Sequence, residues 1–251
     1  DFVMHELTLI VPNHTLWEIP SYTNKTSFGD LDLLVYTLDA EHYLAIRSNF
    51  GNQPYVRNGD VMSILIEQLQ VDIIPMPSRY MATARRYYSY NDLGNLMGKI
   101  FHVFGLKYGH KGLTLPVRVG TNMVEEIEIC KTGRETFAFI GLDYANFVSG
   151  FDDLEDIYKY VYSSPYFSND IFQYENLNHA NRVRDKKRTT YHGFLEYIKV
   201  RPSRKYAFLE DRSLYLRRIF DHFPRAEVRY NSAIERPKEA QGIQEILSGK
   251  E

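Results

Sequence analysis

The sequence has very little of several features that would identify a class of protein at once. It contains one cysteine, Cys130, which excludes an internal disulfide and every metal site built from several cysteines. It has no run of about eighteen apolar residues, and its first residues lack the charged and then apolar pattern of a secretory signal. We therefore expect a soluble protein of the cytoplasm, or of a nucleoid or nucleus, that is not secreted and has neither a membrane nor a disulfide partner.

A charge excess of either sign is also missing. The 30 Lys and Arg residues are balanced by 32 Asp and Glu residues, and the formal net charge is -2. Any attraction to nucleic acid must therefore come from a local basic patch. Glycine-rich phosphate loops, the Gly-x-Ser-x-Gly elbow and zinc-site histidine spacings are absent from the sequence, which argues against kinases, dehydrogenases, hydrolases and zinc enzymes.

Hydrophobic patterning indicates a chain that mixes strands with helices. Residues 6–11 and 15–20 are typical of two strands, and the turn chemistry of Pro12-Asn13-His14 predicts a hairpin between them. The same criteria predict a strand over 31–36, a helix over 40–48, a loop over 49–60, and strands over 61–67 and 71–76. Further along they predict a helix from Leu93 to Phe104 that stops at Gly105, strands over 116–119 and 124–131, and a helix from Leu154 to about Tyr162.

Two acids interrupt the start of an apolar strand. In Gly29-Asp30-Leu31-Asp32 the acids lie two positions apart. Alternate side chains of a strand share a face, so both carboxylates face the same way. Gly29 lets the backbone turn and leaves space beside them. Like charges this close repel, and Mg²⁺ would relieve the repulsion because it prefers carboxylate and phosphate oxygens.

A third acid, Asp72, interrupts the apolar run Val71-Asp72-Ile73-Ile74. An unpaired carboxylate buried there would be costly. If this strand lies beside the one that carries Asp30 and Asp32, the three acids form a site for two Mg²⁺ or Mn²⁺ ions about 3.5–4 Å apart, which suits phosphoryl transfer. The alternative is that the three acids are unrelated. Asp30 would then cap a turn, Asp32 would lie on an edge strand and Asp72 would be solvated at a strand end.

The order of these segments resembles that of the family X DNA polymerases, of which polymerase beta is the familiar member, over roughly residues 20 to 165. It runs from Gly29-Asp30-Leu31-Asp32 through Val71-Asp72-Ile73-Ile74-Pro75 to Tyr87-Tyr88-Ser89-Tyr90-Asn91-Asp92 and then Asn95. The resemblance implies that Asp30 and Asp32 bind both metal ions and that Asp72 binds the ion at the primer terminus. All three acids would then be catalytic.

The resemblance also implies a nucleotide site. Segment 87–92 is similar to the family's Tyr-Phe-Thr-Gly-Ser-Asp, which contacts the sugar and base of the incoming nucleotide. Asn95 matches an Asn that contacts the minor-groove edge of the nucleotide, and Lys99 falls where the family has a basic residue near the template strand. The nucleotide-binding candidates are Ser21, Lys25, Gly29, Tyr88, Ser89, Asp92 and Asn95.

The chain departs from the family pattern in three ways. The Gly-Ser that holds the triphosphate is absent, and Ser21 and Lys25 could replace it as hydroxyl and cationic donors, or could be ordinary loop residues. Tyr90 stands where the family has a flexible Gly, which puts the local turn in question. No helix-hairpin-helix domain or lyase lysine site precedes the acids, so gap repair in the polymerase-beta manner is not implied.

A basic run beyond Pro165 contains aromatic neighbours and is a candidate nucleic-acid surface, because such surfaces neutralise phosphates and stack unpaired bases. The alternative is a solvated charged helix whose aromatic residues face the core. The nucleic-acid-binding candidates are Lys99, Arg182, Arg184, Lys186, Lys187 and Arg188.

Together these observations predict an α+β protein with a polymerase-beta-like palm: a mixed sheet with flanking helices, plus a smaller mixed subdomain. We place a palm-like catalytic domain at 1–92, a thumb-like subdomain at 93–165 and a basic, mostly helical region at 166–251. The expected activity transfers a nucleoside monophosphate from an NTP or dNTP to a hydroxyl, at the 3′ end of a nucleic acid. An RNA or tRNA end-adding enzyme and a catalytically inactive nucleic-acid-binding module are the alternatives.

Overall fold

The computed structural model of the protein describes residues 2–10, 16–36, 38, 40–66 and 68–247. The strands are β1 (Leu16–Glu18), β2 (Asp30–Tyr36), β3 (Tyr55–Asn58), β4 (Val61–Ile66), β5 (Leu69–Met76), β6 (Lys107–Gly109), β7 (Gly112–Val119) and β8 (Asn122–Cys130). The α-helices are α1 (Phe2–Ile10), α2 (Ala40–Asn49), α3 (Ser78–Tyr88), α4 (Leu93–Val103), α5 (Gly133–Phe139), α6 (Tyr144–Ser149), α7 (Leu154–Tyr162), α8 (His179–Asp185), α9 (Thr189–Lys199), α10 (Leu216–His222) and α11 (Pro224–Leu247). Short 3₁₀ turns lie at Asn169–Phe172, Tyr174–Asn176 and Arg212–Tyr215.

The strands form two sheets. The larger sheet has the order β1-β2-β5-β4-β3, and the smaller has the order β6-β7-β8. β2 and β5 run parallel, whereas the other neighbours in both sheets are antiparallel. Parallel neighbours need a crossover, and this one contains α2 and the β3–β4 pair. The expected α+β class, with a mixed sheet and flanking helices, is confirmed.

Side-chain alternation gives the larger sheet two different faces. One face packs against α1 and α2, and its buried residues include Leu7, Leu33, Val35, Ile46, Val71 and Ile73. The opposite face packs against α3 through the smaller cluster of Leu34, Met76, Met81 and Ala84. The three acids of the sequence prediction have the same strand parity as Leu34 and Met76, and so they lie on the α3 side of the sheet.

A separate, continuous hydrophobic core extends from Tyr90 to Ala233 and contains residues on both sides of Pro165. Segment 93–165 and the helices after it are therefore packed together, and the predicted limits at 92 and 165 stay a prediction. Where the structure describes the chain, no helix is both long enough and apolar enough to cross a bilayer.

The predicted hairpin at the start of the chain is wrong. Residues 6–10 belong to α1, and β1 pairs with β2 instead. A short apolar run does not distinguish a helix from a strand, and here the buried Leu7 packs a helix onto the sheet. The predicted turn at Pro12-Asn13-His14 lies outside the described residues, as does the last residue of the strand expected over 61–67.

Several further elements were not predicted, among them β3 and α3. The expected loop over 49–60 contains β3, an edge strand whose residues are all exposed and which therefore lacks an apolar pattern. α3 was also missed, although its buried Met81, Thr83 and Ala84 lie at helical spacing. The predictions for β2, α2, β5, α4 and α7 are confirmed, and Gly105 follows α4 with φ of +82°.

The end of α3 is fixed against the start of α4 by a close approach of two backbones. A Cβ atom added to Gly94 would lie 2.1 Å from the carbonyl oxygen of Tyr87. No side chain fits into that space. The approach determines where segment 88–92 passes the larger sheet.

We predict opposite effects for two alanine substitutions in α4. Gly94→Ala forces the two backbones apart and should lower the free energy of unfolding by about 1–3 kcal/mol, the usual cost of overpacking. Gly98→Ala meets nothing within 4 Å and should raise it by about 0.5–1 kcal/mol, because alanine is the better helix former. Urea denaturation measures both. A Gly94→Ala variant as stable as the wild type would contradict the close approach.

Candidate metal centre and nucleotide pocket

Three carboxylates meet where β2 and β5 lie side by side. Asp30 and Asp32 occupy alternate positions of β2, and the parallel register sets Asp32 opposite Asp72 of β5. Each of the three residues offers a carboxylate oxygen, and these oxygens lie within 4.8 Å of one another. The expectation that the two acidic segments lie on neighbouring strands and share one face is confirmed.

The surroundings of the three acids suit a hard cation. Asp30 is exposed, and Asp32 and Asp72 are half-buried. Oδ1 of Asp72 accepts a hydrogen bond of 2.9 Å from the amide of Gln70, which orients that carboxylate. Carboxylate oxygens are the ligands that Mg²⁺ and Mn²⁺ prefer, so the donor set fits the expected divalent ion.

The electrostatic environment of Asp32 also favours a bound cation. Burial raises the pKa of its carboxyl from the ordinary 3.8 to about 6, and the negative charges of Asp30 and Asp72 contribute to the rise. Lys25 opposes the shift. A cation held between the three carboxylates would remove the repulsion that makes ionisation of Asp32 unfavourable.

A pocket of about 420 Å³ opens beside Asp30 and Asp32. Its size lies within the range of small-molecule sites, roughly 300–1,000 Å³. Its walls combine cationic, hydroxyl, amide and aromatic side chains. The residues that line it include Ser21, Lys25, Phe28, Tyr88, Asn91, Asp92, Arg188 and Thr190.

Several predicted nucleotide-binding residues therefore lie together. Ser21, Lys25, Tyr88 and Asp92 all line the pocket. The ammonium of Lys25 lies 4.7 Å from the centre of the Phe28 ring. Gly29 has nothing within 4 Å of the place where a Cβ would be, and so it leaves open space beside the acids.

The turn between α3 and α4 forms with Tyr90 at the position that the resemblance assigns to a flexible Gly. Tyr90 and Asn91 have φ values of +59° and +58°, a conformation that is rare for a bulky residue. The Tyr90 ring packs against Phe147 and Phe151 at 5.3 and 4.9 Å between ring centres, and its N–H donates to the Pro20 carbonyl at 2.8 Å. These contacts offset the backbone strain, and the turn brings Asn91 to the pocket.

Ser89, Asn95 and Lys99 do not line this pocket. Ser89 is buried at the end of α3, where its hydroxyl donates to the Arg85 carbonyl at 2.5 Å. Asn95 donates to Oδ1 of Asp185 at 3.2 Å, and the buried Lys99 forms an ion pair with Oδ2 of Asp185 at 2.5 Å. An acid of the same chain thus binds both side chains, and the roles implied for them by resemblance stay predictions.

Two of the five residues of the basic run, Arg184 and Arg188, form ion pairs with acids of the same chain. Arg188 lines the pocket and forms an ion pair with Asp92, and Arg184 is bound to Asp185 and Asn95. The remaining three are Arg182, which is half-buried, Lys186, which lies 5.7 Å from the centre of the Tyr174 ring, and Lys187, which is exposed.

Sequence reasoning missed some pocket residues. Asn91 belonged to the segment singled out by resemblance but was not chosen. Thr190 and Phe28 gave no signal, because a single threonine or phenylalanine carries no spacing that indicates a site. Arg188 was assigned to nucleic acid, whereas it lies on the wall of the pocket.

No family model matches the chain, and no curated protein matches it significantly. The geometry of the three acids and the pocket is therefore the basis for a functional assignment.

We predict that the stability of the metal-free protein depends on pH through Asp32. Because the pKa of Asp32 is raised in the folded state, the folded state binds more protons than the unfolded chain between pH 3.8 and about 6. The stability of the metal-free protein should therefore fall as pH rises through this window, and Asp32→Asn should remove that decrease.

We also predict that Mg²⁺ stabilises the protein through Asp32. At pH 7.5, Mg²⁺ should raise the melting temperature of the wild type but not that of Asp32→Asn.

Asp221→Asn is the matched control, since Asp221 is an exposed acid that pairs with Arg217 on α10. It should keep the Mg²⁺ response of the wild type. An equal response in Asp32→Asn would show that the three acids do not hold the ion.

Proposed function

We propose that the protein is a magnesium-dependent nucleotidyltransferase. It transfers a nucleoside monophosphate from an NTP or dNTP to a hydroxyl at the 3′ end of a nucleic acid. The observation that supports this most strongly is the convergence of Asp30, Asp32 and Asp72 within 4.8 Å, beside a pocket that also contains Lys25. Three carboxylates of neighbouring strands with a cationic pocket next to them match the needs of a metal-bound polyphosphate.

We further propose that the larger sheet with its helices is the palm of a polymerase-beta-like fold. The parallel neighbours β2 and β5 carry the acids, and α3 and α4 follow them directly in the chain. The resemblance to the family X polymerases implies a mixed sheet that carries the three acids and has flanking helices. The smaller sheet and α5 to α7 would be the thumb-like part.

In this proposal the three carboxylates hold two Mg²⁺ or Mn²⁺ ions. Bound ions would acidify the attacking hydroxyl and stabilise the charge that develops on the leaving pyrophosphate. The acceptor oxygen forms a bond to the α-phosphorus while the bond from that phosphorus to the bridging oxygen breaks, and pyrophosphate leaves in line. Asp72 would orient the attacking hydroxyl, whose proton passes to a carboxylate or to water.

The pocket supplies the groups that a nucleoside triphosphate needs. Lys25 is the cation that acts on the Asp32 carboxyl, which favours a place for Lys25 beside the phosphates. The Ser21 hydroxyl donates a long hydrogen bond of 3.4 Å to Oδ1 of Asn91 and would turn from it to donate to a phosphate oxygen. Phe28 and Tyr88 are the aromatic side chains of the pocket and could stack on a base.

Nucleic acid is the proposed partner, attracted by the exposed Lys186 and Lys187 together with Arg182. The cytoplasm, nucleoid or nucleus would supply both the nucleotide and the acceptor.

The test supplies Mg²⁺ and each labelled nucleotide separately, with transfer RNA, single-stranded DNA or a primed template as acceptor. Extension of a nucleic-acid 3′ end supports the proposal, and the acceptor identifies the subclass: primed template for a polymerase, free RNA ends for an end-adding enzyme. Binding of nucleic acid without extension of any acceptor would identify an inactive binding module instead.

Asp72→Asn should abolish transfer, with a loss of roughly a thousandfold or more, because metal-ion stabilisation of the transition state is worth several kcal/mol. Its melting temperature should be unchanged or higher, since a like charge is removed and the Oδ1 that accepts from Gln70 remains. Asp60→Asn changes an exposed acid in the turn between β3 and β4 and is the control with normal transfer. Retained transfer in Asp72→Asn would refute the assignment.

A further inference from the structure

The connection from β1 to β2 leaves the larger sheet and docks on the hydrophobic core that surrounds α4, here called the α4 core. The N–H of Ile19 still donates to the Asp32 carbonyl of β2, at 3.2 Å. The next residue, Pro20, instead accepts a hydrogen bond of 2.8 Å from the N–H of Tyr90. Tyr90 belongs to the α4 core, and Tyr22 packs against it. The chain therefore passes from the sheet to the α4 core directly after Ile19.

A turn in this connection is bound to the chain just before α7. Residues 22–25 form the turn, in which the N–H of the last residue donates to the carbonyl of the first at 3.3 Å. The N–H of Thr23 donates to the Phe151 carbonyl at 2.9 Å. The N–H of Asn24 donates to the Asp152 carbonyl at 2.8 Å. Two backbone hydrogen bonds therefore fix the turn beside the start of α7.

One side-chain contact reinforces this docking. The amide of Asn24 donates to Oδ1 of Asp153 at 3.0 Å. Asp153 is the N-cap of α7 and forms a capping box with Asp156. A capping box satisfies two donors at the helix end, and so it also holds the acceptor of the Asn24 amide in place. The Asn24–Asp153 bond therefore joins the turn to a fixed point of the α4 core.

Lys25 follows Asn24 directly and lines the pocket beside the acids. Its ammonium lies 4.7 Å from the centre of the Phe28 ring. Asp30 and Asp32 line the same pocket but belong to β2. The cation and the carboxylates are thus held by different parts of the molecule. Anchoring the backbone of a long, flexible side chain reduces the freedom that this side chain loses when a ligand binds.

We propose that Asn24 and Asp153 are positioning residues for the triphosphate of the nucleotide: their hydrogen bond anchors the turn over 22–25 and so holds Lys25 at the phosphates. This inference rests on the proposed function, in which the pocket takes a nucleoside triphosphate. The chain lacks the Gly-Ser of the family X pattern, and the anchored turn supplies a cationic donor in its place.

The test is a double-mutant cycle on nucleotide binding. A nucleoside triphosphate is titrated in Ca²⁺, without acceptor, into the wild type, Asn24→Ala, Lys25→Met and the double variant. Asn24→Ala should weaken binding by about threefold to tenfold, the range that one hydrogen bond contributes. In the Lys25→Met background the same change should cost less than about twofold, because no cation is left to position. An equal loss in both backgrounds would overturn the inference.

Two further measurements separate positioning from a general loss of structure. The corresponding nucleoside, which lacks the phosphates, should bind equally to Asn24→Ala and to the wild type. Asn49→Ala is the matched control, because the Asn49 amide also donates to a carboxylate, Oε2 of Glu6, at 3.0 Å, but between α2 and α1. This control should keep the wild-type affinity for the triphosphate. Weaker nucleoside binding in Asn24→Ala, or an equal loss of triphosphate affinity in Asn49→Ala, would contradict a positioning role.

Failure of this inference and failure of the proposed function give different results. Extension of a 3′ end by the wild type, with unchanged triphosphate binding in Asn24→Ala, would overturn the inference alone. The expected cycle without extension of any acceptor would overturn the proposed transfer and support the positioning role. A wild type that does not bind the triphosphate would contradict both.

Discussion

The pairing of β2 with β5 determines where the three acids lie. Parallel strands in this register set Asp32 against Asp72, and the two-residue period of β2 adds Asp30 to the same face. The backbone pairing thereby places a carboxylate oxygen of each of the three acids within 4.8 Å of the others. Burial, together with the repulsion that results, raises the pKa of the Asp32 carboxyl.

The apolar side chains around the acids keep them in that arrangement. On the opposite face of the sheet, Leu33 and Ile73 are fully buried under α1 and α2, and so a register slip would bring acids into the core. On the acids' own face, Leu34 continues the β2 row and packs under α3. The acids therefore lie where the apolar cover ends, next to the pocket, which is where bound cations could meet a solvated polyphosphate.

The sequence predicted the acidic site well because its signal is simple. Acids that interrupt apolar strands are conspicuous, and strand alternation then determines their direction. The positions of Asn95 and Lys99 could not be predicted in the same way. Their partner Asp185 lies 86 residues beyond Lys99 in a run that looked like a solvated basic face, and no local pattern indicates such a contact.

The predictions failed at the first helix and at β3 for local reasons. α1 consists of a short apolar run that fits either secondary structure, and the choice depends on packing against the sheet. β3 is an exposed edge without alternation, so only its pairing with β4 makes it a strand. At Tyr90, packing overrides a local preference. The ring packs on Phe147 and Phe151 and stabilises a backbone conformation that the residue type disfavours.

The joint binding of a divalent ion by three carboxylates is tested most directly by diffraction from crystals soaked in Mn²⁺. We expect an anomalous peak about 2.1 Å from an oxygen of each of Asp30, Asp32 and Asp72, the distance typical of a small divalent cation. A peak that contacts only one of these residues, or no peak between β2 and β5 at saturating Mn²⁺, would contradict it.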